Sequence, residues 1–246
     1  MIRVAAVGDI HVGVDTDGVL RAAFAEVSDA ADVLLLCGDL TRRGTLEEAE
    51  RVVDELREVT IPVVAVLGNH DHHDGHPKEV AALLRAAGIT VLEGDTVVLD
   101  LPTGRLGIAG AKGFGGGFAG NNATAFGEQA MKDFVRHTEH IAERLGKCLA
   151  SLRDQGCDAT VALLHYSPVR DTLVGEPPEL FPFLGSQLLA EAIDHSGADL
   201  ALHGHAHKGT ERGLTPAGTP VRNVAMPVIR CAYHVFEVSG ATTAAG

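Results

Sequence analysis

Three apolar runs near the start of the chain stop in the same way, and that shared ending limits the fold more than any other feature. Residues 4–7 stop at Gly8-Asp9, residues 33–36 at Cys37-Gly38-Asp39, and residues 61–67 at Gly68-Asn69-His70-Asp71. Runs this short and this uniformly apolar suit strands covered on both faces. The segments between them carry a helical period instead. Leu20, Ala23, Phe24 and Val27 recur at i, i+3, i+4 and i+7, which predicts a helix over residues 17–30. Thr45-Leu46-Glu47-Glu48 has the form of a capping box and opens a helix whose apolar line is Leu46, Ala49, Val52, Val53 and Leu56. After the third run, Pro77 suits a first helical turn, Val80, Leu83 and Leu84 share a face, and Gly88 supplies the stop. A β-α-β-α-β-α order of this kind builds a layered α/β fold with parallel strands.

Beyond Gly88 the texture changes. Residues 90–92, 97–101 and 106–109 read as short strands joined at Gly94-Asp95 and Pro102-Thr103-Gly104, and they are expected to pair antiparallel. The glycine-rich stretch 113–122 reads as a flexible loop. It lacks the Gly-Lys-Ser/Thr ending of a nucleotide P-loop, which leaves a surface insertion or a substrate lid. A long amphipathic helix is expected over 128–155, with His137 and His140 in solvent; it would run about 40 Å along a sheet. Residues 159–164 form another buried strand ending on His165. A proline-rich segment and a helix over 186–195 follow, and a strand over 199–202 runs into His203-Gly204-His205-Ala206-His207. Residues 220–224 and 228–238 read as closing antiparallel strands, and 239–246 as a frayed tail. No long linker and no solenoid-period repeat divides the chain, so residues 1–246 are expected to form a single domain.

Composition narrows the partners. A net charge of −13 disfavours broad nucleic-acid or anionic-membrane binding, which needs a positive face. No apolar stretch is long enough for a signal-peptide core or a membrane span, so a cytoplasmic location is expected. Cys37, Cys148, Cys157 and Cys231 show no paired spacing and read as buried reduced thiols.

The chemistry lies at the strand ends. Asp9 with His11, Asp39, Asn69 with His70, His165, and His205 with His207 close five separate strands. In open α/β sheets ligands bind outside the carboxyl ends of the strands, so these side chains are expected to meet in one crevice. Carboxylate, imidazole and amide oxygen together make a donor set for divalent ions. Asp9-x-His11 and His205-x-His207 each put two side chains on one side of an extended segment. Each piece alone is weak, because Asp and Asn close many ordinary turns. The five in order are hard to obtain by chance.

The ordered set Asp9-x-His11, Gly38-Asp39, Gly68-Asn69-His70-Asp71, His165 and Gly204-His205-x-His207 resembles the calcineurin-like metallophosphoesterase superfamily. The resemblance implies two packed mixed β-sheets flanked by helices, a four-layer α/β/β/α arrangement. It also implies two divalent metal ions. Asp9, His11 and His207 would hold one, Asn69, His165 and His205 the other, and Asp39 would bridge both. Manganese, iron, zinc, cobalt or nickel would suit these mixed donors. Two such ions generate a nucleophile from water near neutral pH and orient phosphate oxygens for in-line attack. His70 matches the family's non-ligand histidine, which would protonate the leaving oxygen, and Asp71 is expected to orient its ring.

The expected function is hydrolysis of a small soluble phosphoester, with phosphodiesters such as cyclic or small nucleotides slightly favoured over phosphomonoesters. Segments 113–122 and 168–182 are the expected determinants of access. A non-catalytic metal-binding interaction module is the alternative of another class, and retention of the whole ligand set with His70 weighs against it. The exposed faces of the closing strands suit a homodimer. His72, His73 and His76 read as a solvated loop at the site mouth; Asp71-His72-His73 echoes another phosphoesterase family, named for its Asp-His-His motif, whose other motifs are not evident. His203 reads as a residue packed behind the ligands. Arg42 and Arg43 read as a helix cap or as neighbours of a phosphate, and Tyr166 and Arg170 as substrate contacts.

Overall fold

The computed structural model describes residues 1–16 and 18–240. Its first half alternates strand and helix: Ile2–Val7 (β1), Arg21–Ala30 (α1), Val33–Cys37 (β2), Leu46–Leu56 (α2), Val63–Val66 (β3), Pro77–Ala86 (α3) and Thr90–Val91 (β4). Asp95–Leu101 (β5) and Gly104–Ala111 (β6) follow, then a small hairpin, Gly117–Phe118 (β7) and Asn121–Asn122 (β8), and the long helix Gln129–Arg153 (α4). The rest is Ala159–Leu164 (β9), Phe181–Leu184 (α5), Gln187–Ser196 (α6), Leu200–His203 (β10), Arg212–Leu214 (β11), Pro220–Asn223 (β12), Met226–Ile229 (α7) and His234–Val238 (β13).

The strands form two mixed sheets, in the orders β13-β1-β2-β3-β4 and β11-β12-β10-β9-β6-β5. In the first, β1 to β4 are parallel and β13 runs against β1. In the second, β6, β9, β10 and β12 are parallel, with antiparallel β5 and β11 at the edges. One strand shows how the layers are made. Val161 and Leu163 of β9 pack into the core shared with the first sheet, whereas Ala162 and Leu164 pack with α4 and α6, as the two-residue period of a strand requires. Helix α4 covers that outer face with Leu145, Leu149 and Leu152, each fully buried and each contributing about 2 kcal/mol by removal from water. β2 is buried at all five positions, in line with its unbroken apolar sequence.

Several local expectations are corrected. Helix α1 starts at Arg21 because the amides of Leu20 and Arg21 donate to the buried Glu55 carboxylate of α2, at 2.8 Å each; Asp17 lies outside the described residues. β4 pairs parallel with β3 and joins the first sheet, so only β5 and β6 form the expected antiparallel pair. Stretch 113–122 is a surface loop only in part: residues 119–122 are exposed, but residues 115–118 are buried and Phe118 packs with Leu173 and Ala206. β12 runs parallel to β10, and the segment expected to be a strand from residue 228 begins inside α7. Of the expected tail, residues 241–246 lie outside the described residues, and the Gly240 amide is held by the Asp158 carbonyl at 2.8 Å. All four cysteines are free, but only Cys37 is buried. Among the described residues no helix is long and apolar enough to cross a membrane.

Candidate metal centre

The carboxyl ends of β1, β2, β3, β9 and β10 meet at one edge, where hydrogen bonds join the two sheets. The Asp9 amide donates to the Gly38 carbonyl at 2.9 Å and the His11 amide to the Asp39 carbonyl at 3.0 Å. Across the sheets, the His205 amide donates to both carboxylate oxygens of Asp9, at 3.0 and 2.8 Å. Asp9, His11, Asp39 and His205 all have positive φ, at 57°, 44°, 51° and 69°. This left-handed region costs a residue with a side chain on the order of 1–3 kcal/mol, and Asn, Asp and His are the non-glycine types most often found there. Gly204 and Gly68 permit the close approaches that hold them. A Cβ on Gly204 would collide with the Asp9 carboxylate, and one on Gly68 with the Asp39 carboxylate.

Two groups of donor atoms result. Those of Asp9, His11, Asp39 and His207 lie within 4.8 Å of one another, as do those of Asp39, His165 and His205. Asp39 belongs to both. In the first group His207 Nε2 is 2.9 Å from Asp9 Oδ1 and 3.4 Å from His11 Nε2. In the second, His165 Nε2 is 3.4 Å from Asp39 Oδ1 and 2.9 Å from Asn69 Oδ1. Backbone carbonyls decide which ring nitrogen is left free. His165 Nδ1 donates to the Cys37 carbonyl at 2.8 Å, leaving the Nε2 lone pair; His205 Nε2 donates to the Phe183 carbonyl at 3.2 Å, leaving Nδ1.

Burial governs the protonation states. It pushes Asp9 up to about 6, opposed by the His207 hydrogen bond and reinforced by Asp39, and it raises Asp39 as well. It pushes His11 down to about 4 and holds His165 and His205 well below the usual histidine range. His207 moves the other way, raised by its hydrogen bond to Asp9. His11, His165 and His205 are thus held neutral beside the carboxylates, the form that divalent cations bind, so the donor set fits the two ions implied by the sequence motifs.

The model of the calcineurin-like phosphoesterase family matches residues 2–209. The chain belongs to that family. The family's hydrolases use two divalent metal ions. The phosphopantetheinyl hydrolase of Mycobacterium tuberculosis superposes with a TM-score of 0.63 at 18% identity, covering 92% of this chain and 90% of that one. The protein TT1561 of Thermus thermophilus superposes at 0.61 with 17% identity over 96% and 98% of the two chains. At these identities the likeness is one of fold, two mixed sheets flanked by helices. A protein of Synechococcus sp. named probable cyclic nucleotide phosphodiesterase is 34% identical over 80 residues, 28% of this chain. The match spans 31% of that relative's length.

In this calcineurin-like phosphoesterase His70 lies beside both donor groups. Its ring centroid is 4.5 Å from that of His11, and its Nε2 is 4.0 Å from Asp39 Oδ2. Nδ1 donates to the Arg42 carbonyl at 2.7 Å, and this contact replaces the one expected from Asp71. The Asp71 carboxylate is fully buried and accepts from the amides of Gly68 (2.7 Å), Leu40 (3.2 Å) and Thr41 (2.8 Å) and from the Thr41 hydroxyl (2.6 Å). It ties the Asp39 turn to the Asn69 turn. The 3-10 turn over His70–His72 leaves Asp71 buried while His70 stays accessible, so neighbours in sequence serve different surroundings.

The remaining candidates divide. Tyr166 is at the centre, its ring 4.3 Å from that of His205. His203 is buried behind the donor groups, with Nε2 2.8 Å from Thr172 Oγ1. Arg42 pairs with Asp15 at 2.7 Å, and the Arg43 amide donates to Glu48 in the first turn of α2. Arg170 lies over the Phe181 ring at 5.8 Å. His72, His73 and His76 are exposed. Sequence reasoning missed the carbonyls of Arg42 and Phe183, which no side-chain motif records, and Lys112, whose one signal is its place directly after an apolar strand.

Proposed function

We propose that this calcineurin-like phosphoesterase hydrolyses a small soluble phosphoester, diesters such as cyclic or small nucleotides ahead of monoesters. The observation that carries the reading is the membership of Asp39 in both donor groups. Asp9, His11 and His207 would hold one ion with Asp39, and Asn69, His165 and His205 would hold the other. Divalent ions bound there would lower the pKa of water and neutralise phosphate oxygens. The protein's own groups supply the rest. The Arg42 carbonyl fixes the His70 ring by Nδ1, which leaves Nε2 on the side of the donor groups. A proton carried on Nε2 is then available to the leaving oxygen. Asp71 keeps the turns bearing Asp39 and Asn69 in register through its four hydrogen bonds. The local match to the cyanobacterial protein supports the diester preference. The reading takes residues 1–246 as one domain acting in the cytoplasm, in keeping with a core shared by both sheets.

Assays of bis-p-nitrophenyl phosphate and p-nitrophenyl phosphate with manganese, nickel and zinc test it. Turnover of both is expected, the diester faster. Metal-loaded protein that turns over neither would be a binding module, and the reading would fall.

A further inference from the structure

A cavity of about 220 Å³ opens beside the metal centre. Leu67 and His72 bracket the Asn69 turn on one wall, Lys112 at the end of β6 stands on another, and His137, His140 and Arg144 of α4 form the third. The volume is several times the ~30 Å³ of one water molecule.

Lys112 is the group that nothing in the fold accounts for. Its side chain is half-buried, yet among the described residues its ammonium has no hydrogen-bond or ion-pair partner. It lies over the rings of Phe114 and Tyr166, 5.4 and 5.7 Å from their centroids, which offsets only part of the cost of withdrawing a cation from water. Burial lowers its pKa, while Asp39, Asp71 and Glu93 pull the other way; these carboxylates are near without touching it. Buried charges are ordinarily paired, and this one faces a cavity instead. The same residue is anchored to the metal centre through its backbone. Its carbonyl accepts from the amides of His165 and Tyr166, at 3.0 Å each.

The other cavity groups do not supply the missing partner. Arg144 spends its guanidinium on the Gly94 carbonyl at 2.7 Å and the Asp95 carboxylate at 3.1 Å. Glu93, the acidic residue among the cavity's lining, is exposed and outside ion-pair distance of Lys112. His72, His137 and His140 add imidazoles that can donate hydrogen bonds to an anion.

We propose that this cavity is a subsite for a second anionic group of the substrate, a phosphate or a group of its size and charge, with Lys112 as its counter-ion. The preferred substrates are then esters that carry another phosphate besides the one hydrolysed. The proposal deepens the phosphoesterase reading and rests on it.

Two substrates that differ in one group provide the test: thymidine 5′-(4-nitrophenyl phosphate) with and without a 3′-phosphate. For the wild-type enzyme kcat/KM is expected to be at least tenfold higher with the 3′-phosphate (about 1.4 kcal/mol). The ratio should fall to near one in Lys112→Met and recover in Lys112→Arg. A ratio near one in the wild type, or the same ratio in Lys112→Met, overturns the proposal. A second measurement does not depend on turnover. Inorganic phosphate should shift the His137 and His140 ring resonances saturably in the wild type and not in Lys112→Met; unmoved resonances in the wild type count against the subsite. Absent turnover with the shifts intact would strike the hydrolase reading and leave the anion site. Turnover with a flat ratio and no shifts would strike the subsite alone.

Discussion

Acidification should cost this protein stability through a histidine that is not among the donor groups. His203 is fully buried; Nδ1 donates to the Gly204 carbonyl at 2.7 Å and Nε2 pairs with the Thr172 hydroxyl at 2.8 Å. Burial pushes it down to about 4 from the ordinary 6.5. The folded pKa is the lower one, so the contribution is fully present above pH 6.5. It is lost as pH falls toward 4, because the unfolded chain takes a proton that the folded chain refuses. At about 1.4 kcal/mol per pH unit the whole loss is roughly 3 kcal/mol, and about 2 kcal/mol of it falls between pH 7 and pH 5. His203→Gln supplies an amide N–H and a carbonyl in place of the two ring nitrogens and does not titrate. Urea denaturation of both proteins at pH 7 and pH 5 isolates the effect, since every other titrating group is common to the pair. The wild type should lose about 2 kcal/mol more than the variant. Equal losses in the two proteins would refute the reasoning.

Other outcomes follow from the site. His70→Ala should lower turnover by roughly 10²–10⁴-fold with metal content unchanged by elemental analysis; loss of both metals would mean that His70 belongs to the donor groups. Gly204→Ala drives a methyl group into the Asp9 carboxylate and should cost about 1–3 kcal/mol of stability along with metal near Asp9 and His207; full metal content would count against that packing. With Asp9 raised to about 6 and His207 raised as well, protons compete with the cation, and apparent metal affinity measured against a chelating dye should fall at least about tenfold per pH unit below 6. An affinity that stays flat between pH 6 and pH 5 would contradict this.

The alternation of apolar runs with helical periods marks β1, β2 and β3 as parallel strands, because strands covered on both faces leave an unbroken apolar signature. β4 lacks such a signature. Two residues long, it takes its direction from β3 and carries no pattern of its own. The start of α1 depends on Glu55, 34 residues further along the chain from Arg21, and a cap supplied from another helix leaves no local mark. The gathering of donor side chains at one edge is legible because glycine and a polar residue recur at strand ends. Asp71 shows the limit: its adjacency to His70 suggested a partnership, whereas the backbone amides of Leu40, Thr41 and Gly68 claim its carboxylate. Backbone partners depend on loop conformation, which residue types alone do not specify.

The left-handed turns at Asp9, His11, Asp39 and His205 also restrict how this centre can change. Shifting metal preference usually means exchanging one donor chemistry for another. At these four positions the backbone cheaply accepts little beyond Gly, Asn, Asp and His, so a bulky or β-branched replacement is penalised before its coordination is ever tried. The other proposed donors, Asn69 with φ at −70°, His165 and His207, stand on ordinary backbone. Glu, Gln, Cys or Met can be introduced there without that penalty. Selection or design that sets out to retune the metals has its open ground at those three positions.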